Sequence, residues 1–151
     1  MSLRVLLLAL CAAVAIGLAG CREEPQLAPS DLAGRSYAAY MQAPGGALYQ
    51  RFIMDNREAA RRHADPLDHD GVRYQVWALE VQAREALRRR DEPPEGTRYA
   101  VDAPQLGREV ELSVDRLERD GLLEVYEDAF PGAAERLQAV REQVRPLFES
   151  E

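Results

Sequence analysis

Apolar residues in the middle of the chain recur every three or four positions, which is the period of an amphipathic helix. The longest such stripe consists of Val72, Val76, Leu79, Ala83, Ala86 and Leu87, and Arg90 continues its spacing. Glu80 and Arg84 lie one turn apart in this segment and are predicted to form an ion pair. Residues 72–78 also alternate as a strand does, so a strand over 72–81 is the alternative. The three-to-four period lasts longer, and it favours a helix.

Similar but shorter patterns predict the other elements. Helices are expected from Ser30 or Asp31 to about Gln42, over Ala47–His63, from about Leu106 to Gly121, and from about Pro131 onward. Pro146 is expected to kink or end the last of them. Pro44-Gly45-Gly46 and Asp91–Gly96 separate them, and Thr97–Val101 is expected to be a short extended piece. The pattern therefore predicts a mainly α fold, a small bundle of four to five helices. The alternative is an α+β fold with an antiparallel hairpin near 108–126.

The last predicted helix carries the most regular stripe, at spacings of three, four and three residues. Its members are Leu137, Val140, Val144 and Leu147. A chain of 151 residues has few large apolar side chains to leave in water. We therefore expect this stripe to pack on the core of the domain.

The first twenty residues differ from the rest of the chain, because sixteen of them are apolar and only Arg4 is charged. The uncharged run from Val5 to Ile16 would span about 18 Å as a helix. A bilayer core needs about 20 apolar residues, so this run is short for a membrane span. Counting from Leu3 to Gly20 lengthens it, and an uncleaved anchor is the alternative to a signal peptide.

Leu18-Ala19-Gly20-Cys21 ends this run and resembles the lipobox of bacterial lipoprotein precursors. The resemblance is confined to about the first 21 residues, and the rest of the chain is not recognised. It implies that a signal peptidase recognises Leu18, Ala19 and Gly20 and cuts before Cys21. It further implies a diacylglyceryl group and an N-acyl chain on Cys21, with no other cofactor. Such a protein is held by lipid in the bacterial cell envelope, facing the periplasm.

The resemblance also implies an organisation in three parts. Residues 1–20 are the removed signal peptide, 21–29 are the lipidated cysteine with its tether, and 30–151 form one globular, mainly helical domain. In this family an Asp after the cysteine favours the inner membrane. Arg22 stands there, so the outer membrane is expected. Cys11 lies in the removed segment, so the processed domain would hold no thiol beyond the lipidated one.

The amino-acid composition limits the classes of partner that the domain is expected to bind. The formal charge is −7, and all 19 basic residues are arginines because the chain has no lysine. A nucleic-acid binder needs a basic face, so no nucleic-acid partner is expected. The expected partners are the membrane, reached through Cys21, and a protein of the periplasm.

The densest group of chemically capable side chains is His63, Asp65, Asp68, His69 and Asp70. Histidine with carboxylate can bind a divalent metal, so these residues are weak metal candidates. The favoured interpretation is a polar turn whose acids cap the next helix, with no metal. Arg88-Arg89-Arg90 could hold an anion, but a solvated helix end explains it better. Trp77 and the six tyrosines could stack on sugars, but core packing is expected.

Three hypotheses of function follow. The favoured one is a non-enzymatic protein-interaction lipoprotein, acting as an envelope accessory or an inhibitor of immunity type. A carrier of an apolar or glycan ligand is the first alternative. A metal-dependent hydrolase centred on His63–Asp70 is the second. No catalytic constellation stands out, because no serine lies in a G-x-S-x-G context and no glycine-rich phosphate loop is present.

Overall fold

A computed structural model describes residues 28–95 and 101–149 of the chain. Six α-helices lie in these ranges: α1 Pro29–Gln42, α2 Gly46–Arg62, α3 His69–Asp91, α4 Ala103–Arg119, α5 Leu122–Ala129 and α6 Ala133–Val144. A 3-10 turn, Arg145–Leu147, follows α6. The described ranges contain no strand, so the predicted mainly α fold is confirmed. Among these helices none is both long enough and apolar enough to cross a membrane.

Both alternatives that contain strands are wrong. Residues 72–81 lie within α3, and the hairpin near 108–126 is replaced by α4 and α5. Gly121 separates these two helices with a φ of 70°, a left-handed conformation that favours glycine. The short helix α5 is an element that the apolar pattern did not predict. The signal peptide, Cys21, most of the tether and residues 97–100 of the predicted extended piece lie outside the described residues.

Several predicted boundaries shift by one or two residues. Helix α1 begins at Pro29, with Ala28 in the N-cap position, so a cap at Ser30 or Asp31 is wrong. Helix α6 begins at Ala133 rather than at Pro131, after Gly132 adopts a φ of 88°. Of the two effects expected of Pro146, a kink or an end, the structure shows an end: the α-helix stops at Val144, and Leu147 lies in the 3-10 turn that follows.

Helix α3 is the centre of the fold, because it is buried on two opposite faces. Val72, Val76, Leu79 and Ala83 share one face and enter the main core with residues from α4, α5 and α6. That core includes Val110, Val114, Tyr126, Ala133, Leu137, Val140 and Val144. Each residue of an α-helix is rotated by about 100° from the one before. Tyr74 and Val81 therefore lie about half a turn away from Val72 and point to the other side.

The second face of α3 packs against α1 and α2 through two smaller clusters. One cluster consists of Ala33, Ala59 and Tyr74, and the other of Tyr40, Phe52 and Val81. Trp77 packs against both clusters from its position on α3. The helix therefore separates two hydrophobic cores.

The first turn of α3 is fixed by a cap and by a close backbone contact. The Asp68 carboxylate accepts a hydrogen bond from the backbone N–H of Gly71 at 2.9 Å, as an N-cap residue does. A Cβ on Gly71 would lie 2.4 Å from the carbonyl oxygen of Asp65. Glycine is therefore required where the helix passes the preceding turn.

The predicted packing of α6 is confirmed. Leu137 and Val144 are fully buried, Val140 is 4% exposed, and Leu147 packs at the edge of the main core. Burial of a large apolar side chain contributes about 1.5–3 kcal/mol. The α6 stripe is therefore a substantial part of the stability of a domain this small.

Replacing Leu137 by Asp tests this packing. A charge at this buried position should lower the free energy of unfolding by about 4 kcal/mol or more and abolish the helical circular dichroism signal. Ala139→Asp is the matched control, because Ala139 is exposed on the same helix, and it should leave the signal unchanged. A folded Leu137→Asp variant with an unchanged melting temperature would show that α6 is not part of the core.

Candidate functional site

The five predicted metal candidates do not converge on one point. His63 Nε2 lies 2.6 Å from Asp68 Oδ1, whereas His69 Nδ1 lies 3.2 Å from Asp70 Oδ1. The Asp65 carboxylate accepts a hydrogen bond from the backbone N–H of Leu67 at 2.9 Å. In residues 28–95 and 101–149 no group of three His, Cys, Asp or Glu side chains is arranged to hold a metal ion.

The aspartates of this turn instead organise the start of α3. Asp68 caps the helix, and Asp70 forms an ion pair with Arg73 at 2.9 Å. The hydrogen bond from Gly71, followed by that with His63, holds the pKa of Asp68 below its usual value. The prediction that the acids of this turn cap the next helix is confirmed for Asp68.

A completely buried carboxylate lies on the face of α3 that packs against α1. Glu85 is 0% exposed, and its oxygens accept four hydrogen bonds. Arg88 donates from Nε at 2.9 Å and from Nη2 at 2.7 Å. Arg89 Nε donates at 2.9 Å, and the hydroxyl of Tyr40, on α1, also donates at 2.9 Å. This cluster ties α1 to α3, and it gives two of the three consecutive arginines a structural role.

Burial and hydrogen bonding have opposite effects on this carboxyl group. Burial alone raises the pKa of Glu85, but the hydrogen bonds from Arg88, Arg89 and Tyr40 together outweigh it and lower the pKa. Burial and the hydrogen bond to Glu85 also raise the pKa of Tyr40 well above its usual value. Glu85 is therefore ionised at neutral pH, and Tyr40 remains a hydrogen-bond donor.

A second carboxylate of α3 joins three helices. Both oxygens of Glu80 accept hydrogen bonds from Arg136 of α6 at 2.7 Å, which makes a bidentate ion pair. The hydroxyl of Tyr37, on α1, donates to Glu80 at 2.6 Å and accepts from Arg136 at 3.1 Å. Burial, followed by the hydrogen bond to Glu80, raises the pKa of Tyr37 to about 12. The predicted Glu80–Arg84 pair is wrong, because Arg136 occupies the carboxylate.

Beside this junction an open groove of about 670 Å³ runs along one flank of α3. We call it the arginine groove. Helix α3 lines it with Glu80, Arg84, Leu87, Arg88, Arg90 and Asp91. Helix α6 contributes Arg136, Ala139, Val140 and Gln143, the end of α1 contributes Met41, and the connection between α1 and α2 contributes Pro44. The groove therefore combines an apolar floor with four arginines.

The charge of the arginine groove is opposite to that of the whole chain. Four arginines face two acidic residues in the groove, whereas the chain carries a formal charge of −7. Glu80 pairs with Arg136, and Arg90 pairs with Asp91 at 2.7 Å. Arg84 is exposed and forms no ion pair with any residue in the described ranges. It is the groove cation most available to an outside anion.

Among the described residues, the aromatic side chains lie mainly in the packing between helices, as predicted, whereas Tyr99 lies outside those residues. Trp77 stacks on Tyr37 with ring centroids 4.7 Å apart, and the guanidinium of Arg73 lies 4.9 Å from the Trp77 ring. Tyr40 and Tyr126 are almost completely buried. The hydroxyl of Tyr126 donates a hydrogen bond to Gln75. These contacts leave little aromatic surface for stacking on a sugar.

The chain matches no protein-family model, no curated protein and no solved structure. The site is therefore interpreted from its own chemistry. Guanidinium groups around an apolar floor can bind and orient an anionic group, and they supply neither a nucleophile nor a general base at neutral pH. From the sequence, the consecutive arginines are possible anion ligands and Arg84 is a predicted partner of Glu80, but the pattern does not indicate that Arg84 and Arg136 line one groove.

Glu85 should stabilise the fold in a pH-dependent way. We expect Glu85→Gln to lower the free energy of unfolding by about 3 kcal/mol at pH 7, because it leaves two arginines without their buried partner. Since the folded-state pKa is lowered, this contribution is complete above the unfolded pKa and is lost as the pH falls from about 5 through the folded pKa.

Urea unfolding of a chain beginning at Arg22, at several pH values, measures this difference. The control is Glu92→Gln, since the side chain of Glu92 is 80% exposed, and it should change stability by less than about 0.5 kcal/mol. Equal effects of the two substitutions at pH 7, or an effect of Glu85→Gln that is constant with pH, would contradict the assignment.

Proposed function

We propose that this chain is a lipid-anchored lipoprotein of the bacterial envelope whose helical domain is a non-enzymatic protein-interaction module. The observation that carries the proposal is the arginine groove, a preformed surface of reversed charge on an acidic domain. Its contact surface would recognise a partner in the periplasm. The role fits an envelope accessory or an inhibitor of immunity type.

The anchor is supported by the sequence at the N-terminus. The apolar run ends in Leu18-Ala19-Gly20-Cys21, which resembles a lipobox, and Arg22 follows. Removal of residues 1–20 leaves 18 arginines and 26 acids, for a formal charge of −8. A domain so acidic has little attraction to anionic lipid, so attachment would depend on the acyl chains at Cys21. Two or more chains give stable attachment, and Arg22 favours the outer membrane.

The openness of the groove supports a protein partner more than a carried small molecule. Five of its twelve lining residues are exposed, among them Arg84, Ala139 and Gln143. A site that carries a drug-sized ligand buries about 70–90% of the ligand surface. An open groove with apolar and arginine side chains is instead typical of a protein interface, where arginine is enriched.

The hydrolase alternative has less support. His63 and His69 contact different aspartates, and Asp68 is used as a helix cap. The two most buried acid clusters, around Glu80 and Glu85, are saturated with hydrogen bonds from arginine and tyrosine. A general acid or base would need a carboxyl group with a raised pKa or an open hydrogen-bonding position.

Lipid attachment at Cys21 is the first test of the proposal. Cys21→Ala should abolish incorporation of labelled fatty acid and leave an uncleaved precursor on a denaturing gel. Cys11→Ala is the matched control, because it removes the other cysteine and should leave both labelling and processing intact. Fatty-acid labelling that survives Cys21→Ala would refute the proposed anchor and the location inferred from it.

A further inference from the structure

We propose that the arginine groove binds an acidic segment of the protein partner, with a partner carboxylate on Arg84 and partner apolar side chains on the groove floor. This inference rests on the proposed function and names the chemistry of the partner. It depends on three features of the groove: its position on α3, the ion pairing of its arginines, and its apolar floor.

The groove lies on the flank of α3 between the two buried faces of that helix. Glu80, Arg84, Leu87 and Asp91 are spaced by three or four residues, so they form one line along about 16 Å of helix. Helix α6 borders the groove on one side and the end of α1 on the other. Glu80 and Arg136, which pair with each other, are among the residues that line it. An elongated partner segment therefore fits along α3.

The arginines of the groove differ in how they are held. Arg136 is fixed by Glu80, and Arg88 is fixed by the buried Glu85. Arg84, between Glu80 and Arg88 along α3, has no ionic partner in the described part of the chain. Its guanidinium can form two parallel hydrogen bonds with one carboxylate. Binding would add a charge pair without breaking one that the fold uses.

The floor of the groove favours a polypeptide over a simple anion. Val140 is 4% exposed, and Leu87 and Met41 are half-buried beside it. Apolar side chains of a partner can cover these residues, and such buried anchors supply most of the binding energy at protein interfaces. A free phosphate ion or a lipid headgroup would leave this apolar surface in water. The combination of Arg84 with the floor thus fits an acidic, partly apolar segment.

The groove on the opposite flank of α3 is smaller and holds fewer arginines. A smaller groove of about 360 Å³ lies there, lined by Gln75, Gln82, Ser113 and Tyr126, with Arg116 as its one charged residue. The convergence of four arginines is therefore a feature of the arginine groove and not of the groove on the opposite flank.

Photo-crosslinking in the native cell tests the inference on the full lipidated chain. Benzoylphenylalanine replaces Gln143, an exposed residue of the groove, or Met54, which is 69% exposed on α2 as a control position. The crosslinked peptides are identified by mass spectrometry. The crosslink at position 143 is then measured in chains that also carry Arg84→Glu or, as a matched control, Arg57→Glu. Arg57 is an exposed arginine of α2 outside the groove.

We expect position 143 to crosslink to one partner peptide rich in Asp and Glu. Arg84→Glu should reduce this yield by about tenfold or more, because like charges then face each other. Arg57→Glu should leave the yield within about twofold, and both variants should keep the wild-type melting temperature. The inference is supported only if the crosslinked peptide is acidic and the crosslink yield depends on Arg84.

Other outcomes overturn the inference in ways that can be distinguished. A neutral or basic partner peptide, a lipid adduct at position 143, or a yield unaffected by Arg84→Glu would refute the acidic segment. A protein crosslink at Met54 but not at Gln143 would move the interface away from the groove and leave the proposed function standing. The absence of a protein crosslink at every exposed position tested would refute the interaction module itself.

Discussion

The burial of α3 on two opposite faces is the constraint on which the rest of the structure depends. Val72, Val76 and Leu79 enter the core shared with α4, α5 and α6, while Tyr74 and Val81 enter the clusters shared with α1 and α2. The polar side chains of α3 are thereby confined to its two flanks or buried with partners. This helix forms most of the interface between the two halves of the domain, and Tyr37 of α1 also contacts Arg136 of α6 directly.

Two carboxylates of α3 make this arrangement specific. A buried ion pair contributes little net stability, because desolvation offsets much of the attraction, but the loss of one partner is costly. Glu85 selects the position of α1 through Tyr40, and Glu80 selects the positions of α1 and α6 through Tyr37 and Arg136. Glu80 and Arg136 of this second junction also line the arginine groove. The contacts that hold the helices together therefore also fix the shape of the proposed binding surface, so that little reorganisation accompanies binding.

The limits of the sequence analysis have physical causes in these same residues. The α6 stripe and the Asp68 cap were predictable, because each depends on neighbours within a few turns. The apparent strand over 72–81 arose because a helix buried on two faces places apolar residues at 72, 74 and 76, on alternating sides. The short helix α5 depends on the left-handed Gly121, which the apolar period does not reveal. The pairing of Glu80 with Arg136 spans 56 residues, whereas the local helical spacing indicates a pair with the nearer Arg84.

Native-state hydrogen exchange of the backbone amides tests most directly whether α3 joins both halves into one cooperative unit. The protected amides of α1, around Tyr40, and those of α6, around Leu137, should exchange with free energies within about 1 kcal/mol of those of α3 at Val81, the value for global unfolding. Exchange in α1 and α2 at a free energy more than about 2 kcal/mol lower, with α3 to α6 still protected, would contradict the account. It would mean that α1 and α2 open independently, and that the arginine groove is not fixed by the fold.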